Sequence, residues 1–195
     1  MRTITLIVIH CSAVRPNQTS SAAQIDTWHR QRGFHLGIGY HYVVRRNGQI
    51  EPGRPDWMVG AHCLNHNAHS IGVCYEGGCD IRGQPADTRT EAQKKALRRL
   101  LEKLHRAYPK AIIVGHHDLN PHKDCPCIEN VACEFADLQP EFQVRGCAMH
   151  ILFPVWHRFK DYYSPFHLCA YSSPVPNLHN PPHTRSVSGG ASRHQ

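Results

Sequence analysis

Apolar and polar positions along this chain follow two periods in turn. The stretch "ITLIVIH" is apolar at successive positions and rich in β-branched residues, which predicts a strand buried on both faces. In "SSAAQIDTWHRQRG" Ser21 and Gln24 have capping-box spacing and Gly33 is a stop, so a helix of about three turns is expected. "YHYVVRRNGQIE" carries Asn47-Gly48 between two short β-rich runs, a hairpin signal. "SIGVCYEGG" reads as another strand, closed by two glycines. The clearest helix is "TEAQKKALRRLLEKLHRAYP": Thr90 and Gln93 form a capping box, Ala96, Leu97, Leu100, Leu101 and Leu104 make one stripe, and Pro109 ends it. "KAIIVGHH" is a strand, and "IENVACEFADLQ" is expected to be a last helix. Strands interleaved with helices predict a single α/β domain over residues 1–140, with a central mixed β-sheet flanked by helices.

The pattern then fails. "FQVRGCAMHILFPVWHRFKDYYSPFHLCAY" has apolar residues without a clean period, and "YSSPVPNLHNPPHTRSVSGGASRHQ" is rich in Pro, Ser and His. Residues 141–195 are therefore expected to form an irregular, disordered tail. The formal net charge of +7, with 17 histidines, favours polyanionic partners such as nucleic acid, an anionic membrane or an anionic cell wall. No run of Lys and Arg resembles a nucleic-acid arm, so nucleic acid is not expected as a partner. No apolar run approaches the roughly 20 residues of a membrane helix. "MRTITLIVIHCSA" alternates with threonine and reads as a strand, not a signal peptide, so cytoplasmic synthesis is expected. The nine cysteines are an odd number without an export signal, which favours reduced thiols or metal ligands over a disulfide framework.

Candidate chemistry concentrates in "GHHDLNPHKDCPC". His116 ends one predicted strand and His10 ends another, so two central strands can bring two imidazoles together. Cys125 follows His116 by nine residues, across a proline-containing loop able to fold back. Two imidazoles and one thiolate form a plausible three-ligand zinc set, and a free fourth position separates a catalytic site from a structural one. Lys123, two residues before Cys125, would share its side of an extended loop and could neutralise an oxyanion. Tyr40 begins a predicted strand and could bring a hydroxyl to the same place. Plainer readings apply to the neighbours. A lone histidine at a strand end is more often a satisfied polar residue than a ligand. His117 should face away from His116, and Cys11 away from His10. The Cys125-x-Cys127 spacing is poor for a zinc finger, and Cys74 and Cys79 read as core and turn residues.

Taken in order, "IVIHCSA", "GYHYVVRRNGQIEPGR", "VGAHCLNHNAHSIGVCYEGG", the "TEAQ" helix and "GHHDLNPHKDCPC" resemble the type 2 N-acetylmuramoyl-L-alanine amidases. These are the zinc amidases of the bacteriophage T7 lysozyme kind, related to peptidoglycan recognition proteins. The resemblance covers about residues 3–139. It implies that His10, His116 and Cys125 hold one Zn2+ ion and that Tyr40 and Lys123 are catalytic. It places His62 and Asn67, from "GAHCLNHNAHSIG", near the bound peptide stem. The implied reaction is hydrolysis of the amide between the lactyl group of N-acetylmuramic acid and L-alanine, by a monomer acting on peptidoglycan or muropeptides. A phage or prophage endolysin that reaches the wall through a separate membrane lesion is expected. The alternatives are a cytosolic amidase recycling wall fragments and a non-catalytic recognition module, which would normally lack one of the five residues. A nucleic-acid-binding zinc protein and a cysteine hydrolase using Cys11 or Cys125 are more distant rivals.

Overall fold

A computed structural model describes residues 2–140 of the chain. The tail expected over residues 141–195 lies outside the described residues. Five strands form one sheet: β1 (Leu6–Cys11), β2 (Tyr42–Val44), β3 (Ile50–Pro52), β4 (Ser70–Tyr75) and β5 (Ile112–Gly115), in the order β3-β2-β4-β1-β5. β1 runs parallel to β4 and to β5, β2 runs parallel to β4, and β3 returns antiparallel to β2 through the Asn47-Gly48 turn. Gly48 has φ +85°, a conformation that L side chains rarely adopt, and this explains glycine there. The result is the expected mixed sheet. β1 and β4 are buried along their whole length, as their unbroken apolar runs require.

Side chains alternate between the two faces. One face presents Ile7, Ile9, Ile71, Val73, Tyr75 and Ile113, and helix α2 (Glu91–Ala107) lies on it. The stripe of Ala96, Leu97, Leu100, Leu101 and Leu104 is buried there, each leucine contributing roughly 1.5–3 kcal/mol. Thr90 and Gln93 complete a reciprocal capping box. Gln93 also donates to the carbonyls of Val44 (3.1 Å) and Glu76 (2.9 Å), tying the start of α2 to the ends of β2 and β4. Helix α1 (Ala22–Gln31) covers part of the opposite face, where Ile25 packs with Ile38, Val43 and Cys74. Ser21 Oγ accepts the Gln24 amide at 3.1 Å. Among the described residues, no helix is long and apolar enough to cross a membrane.

Two local expectations are corrected. The chain does not enter a loop at His116 but makes a short helix, α3 (His116–Leu119), because Asp118 Oδ2 accepts the Gly115 amide at 2.7 Å and caps the turn. The last helix is two pieces, α4 (Val131–Glu134) and a 3-10 turn (Ala136–Leu138). Phe135, with φ −116° and ψ 33°, breaks the helix between them. That break lets Val131, Phe135 and Leu138 all reach the core on the α2 side.

β5 is an edge strand, and its edge is closed by a side chain. Gln139 is buried; its Oε1 accepts the Ile113 amide (3.1 Å) and its Nε2 donates to the Ile113 carbonyl (2.9 Å), as a neighbouring strand would. Gln139→Ala is expected to lower unfolding free energy by about 1–3 kcal/mol, because two buried backbone groups lose their partners. Urea unfolding followed by circular dichroism checks this.

Candidate metal centre

The parallel register aligns Ile9 with Gly115 and His10 with Cys74. The residues that come next, His10 in β1 and His116 at the start of α3, therefore stand side by side, with ring centroids 4.6 Å apart. The third donor comes from the loop over residues 120–127, which is anchored at three points. His117 donates its amide to the Cys125 carbonyl (2.7 Å), and Tyr75 donates its hydroxyl to the Pro126 carbonyl (2.6 Å). The Cys11 amide donates to Cys125 Sγ at 3.3 Å. Cys125 Sγ ends 3.7 Å from His10 Nδ1. The donor atoms of His10, His116 and Cys125 all lie within 4.8 Å of one another, a group able to hold a metal ion. Sulfur and nitrogen ligands of one tetrahedral zinc ion, with bonds of about 2.3 and 2.0–2.1 Å, stand about 3.6 Å apart, so the donor set and its spacing fit that ion.

Electrostatics favour neutral donors. His10 is fully buried, and its pKa lies well below the usual value, first through desolvation and then through the neighbouring His62 and His116. His116 is shifted the same way by burial and by the charge of Lys123. Neutral imidazoles keep a lone pair for a metal. Cys11 is pushed up to about 12, mainly by its contact with the Cys125 thiol, and is a poor nucleophile for that reason. Its Sγ lies 3.8 Å from Cys127 Sγ, so these two thiols meet each other rather than His10.

The ring of Tyr40 packs 5.1 Å from that of His10 and 5.4 Å from that of His29. Tyr40 precedes β2 by two residues and does not begin the strand. Burial, followed by the thiols of Cys74, Cys125 and Cys11, raises its hydroxyl well above the ordinary range, so it carries its proton at neutral pH. His29 steadies this segment: its Nδ1 accepts the Gly39 amide at 2.9 Å. Burial lowers His29 to about 4. Lys123 is exposed between two turns and lines a shallow cleft of about 350 Å³ with Pro85, His117 and Glu129. His117 lies 3.4 Å from Asp118 and outside the donor cluster. His62 is buried, with its Nδ1 3.0 Å from His10 Nε2 and its Nε2 3.2 Å from Ser70 Oγ. Asn67 turns its Oδ1 inward to accept the amides of His62 (2.8 Å) and Cys63 (2.9 Å). The supporting roles of His29, Ser70 and the Cys11 amide match no motif spacing in the sequence, and the Cys11 amide reaches Cys125 across 114 positions.

Residues 1–128 match the N-acetylmuramoyl-L-alanine amidase family. The endolysin of Enterobacteria phage K11 is 41% identical over 121 residues, covering 62% of this chain and 79% of that protein. The endolysin of Escherichia phage T7 is 40% identical over 123 residues, covering 63% of this chain and 80% of that protein. Among solved structures, N-acetylmuramoyl-L-alanine amidase LysC from Clostridium intestinale URNW superposes with a TM-score of 0.58 at 30% identity, over 68% of this chain and 82% of that one. With a family match spanning well over half of its length, this chain belongs to the N-acetylmuramoyl-L-alanine amidase family.

Proposed function

We propose that this amidase binds one zinc ion through His10, His116 and Cys125. With it the enzyme hydrolyses the amide between the lactyl group of N-acetylmuramic acid and L-alanine in peptidoglycan. The observation that carries the reading is the meeting of two neutral imidazoles and one thiol from three separate segments, with Cys125 Sγ 3.7 Å from His10 Nδ1. Zinc supplies Lewis-acid chemistry at such a site, polarising a carbonyl and activating water near neutral pH.

The chain's own residues do the rest. The Cys11 amide, 3.3 Å from Cys125 Sγ, stabilises negative charge on that sulfur. Tyr40, held protonated beside His10, donates a hydrogen bond to the reacting oxygen atoms. Lys123 supplies a positive charge that His116 already feels, and that charge stabilises the oxyanion that develops on the scissile carbonyl. The net charge of +7 suits an anionic wall polymer. The phage origin of the two endolysin relatives favours action on the wall as an endolysin over recycling of wall fragments. Residues 1–140 constitute the amidase unit in this reading, since the match ends at residue 128 and the core is closed by Gln139.

Purified peptidoglycan is the test substrate. Soluble peptides with a free L-alanine amine should be released, lost on chelation and restored by added zinc. Stoichiometric zinc binding without release would instead identify a recognition module. Lys123→Ala is expected to keep zinc while losing about 10²–10³-fold in turnover. Cys125→Ser is expected to lose zinc and activity together, as zinc content and peptide release measured on the same samples will report. Full turnover in Lys123→Ala would remove the oxyanion role from that residue.

A further inference from the structure

His62 stands on the far side of His10 from Cys125, and its ring has a fixed direction. Ser70 Oγ lies 2.7 Å from the His66 carbonyl, which can only accept, so the Ser70 proton is committed there. Ser70 Oγ is then the acceptor for His62 Nε2, at 3.2 Å, and the single proton of a neutral His62 sits on Nε2. His62 is buried, and its two ring nitrogens face His10 and Ser70, neither of which balances a positive charge, so the ring is neutral. Its Nδ1 is therefore a bare acceptor, 3.0 Å from His10 Nε2, and His10 must donate to it. A neutral His10 with its proton on Nε2 has its lone pair on Nδ1, the nitrogen that faces Cys125 Sγ.

The pocket around His62 is built to keep this alignment. A Cβ at Gly72 would lie 2.6 Å from His62 Cδ2, and one at Gly60 would lie 2.5 Å from the same atom. Both glycines leave room for the ring and no more. Asn67 fixes the backbone of His62 and Cys63 from below.

We propose that His62 is a positioning residue: the chain from the His66 carbonyl through Ser70 and His62 selects the tautomer of His10 that presents Nδ1 to the metal. Asn67, Gly60 and Gly72 support this chain. The inference rests on His10 being a ligand, and it gives His62 a role behind the ligand instead of in the substrate groove. With both ring nitrogens engaged, His62 has no donor or acceptor left for a peptide stem.

The test reads proton positions as well as affinity. In long-range ¹H–¹⁵N spectra of the full chain, recorded metal-free and with equimolar zinc, His10 and His62 should each carry their proton on Nε2. A scalar coupling should cross the hydrogen bond from His10 Nε2 to His62 Nδ1. A proton on Nδ1 of either ring overturns the proposal, and this arm needs no variant to fold. In chelator competition, His62→Leu should weaken zinc binding by about 10–100-fold. His62→Gln should restore most of that loss, because its amide can accept from His10 and donate to Ser70. Equal thermal midpoints of the two metal-free variants would separate positioning from a merely structural effect. Unchanged affinity in His62→Leu overturns the proposal. Failure of the unmodified chain to bind zinc would sink the metal reading, while the metal-free spectra would still decide the tautomer.

Discussion

The hydrogen bonding of β1 between two parallel neighbours is the constraint on which the site depends. That register puts His10 beside His116 on one side and aligned with Cys74 on the other. Because strand side chains alternate, it also sends Ile7, Ile9 and Cys11 to the face under α2. A slip of one residue would exchange Cys11 for His10 and turn the imidazole into the hydrocarbon layer. The apolar stripe of α2 penalises such a slip, so the core that stabilises the sheet also fixes the position of the first donor.

The division of labour between the two faces follows from this. The α2 face carries most of the buried hydrocarbon. The opposite face is shared between α1 and a polar half that holds His10, His62, Ser70 and the room left by Gly72. Burial there is what keeps the histidines uncharged, and uncharged rings can both accept hydrogen bonds and offer lone pairs. Desolvation that would cost stability for a charged group here leaves the rings of His10 and His116 in the form able to hold a metal.

The loop that brings Cys125 depends on backbone groups more than on side-chain packing. Amides of Cys11 and His117 and the hydroxyl of Tyr75 hold it against the strand ends. The family match ends at residue 128, yet the fold continues. Val131, Phe135 and Leu138 extend the core on the α2 side, and Gln139 stands in for a strand at the edge of β5.

The amino-acid sequence by itself determined the elements whose signals are local. The capping box of Thr90 and Gln93, the stripe of α2, the Asn47-Gly48 hairpin and the buried runs of β1 and β4 are all written within a few residues. The ordered motifs also pointed to His10, His116 and Cys125 as a group, although they lie far apart along the chain. The split at Phe135 was not legible, because core contacts there override the helical period. Nor was the depth of His62, or the commitment of both its nitrogens. Those features arise where residues 10, 62 and 70 meet across the sheet, and the direction of a hydrogen-bond chain exists only once the tertiary structure has set which atoms can give a proton and which can only accept one.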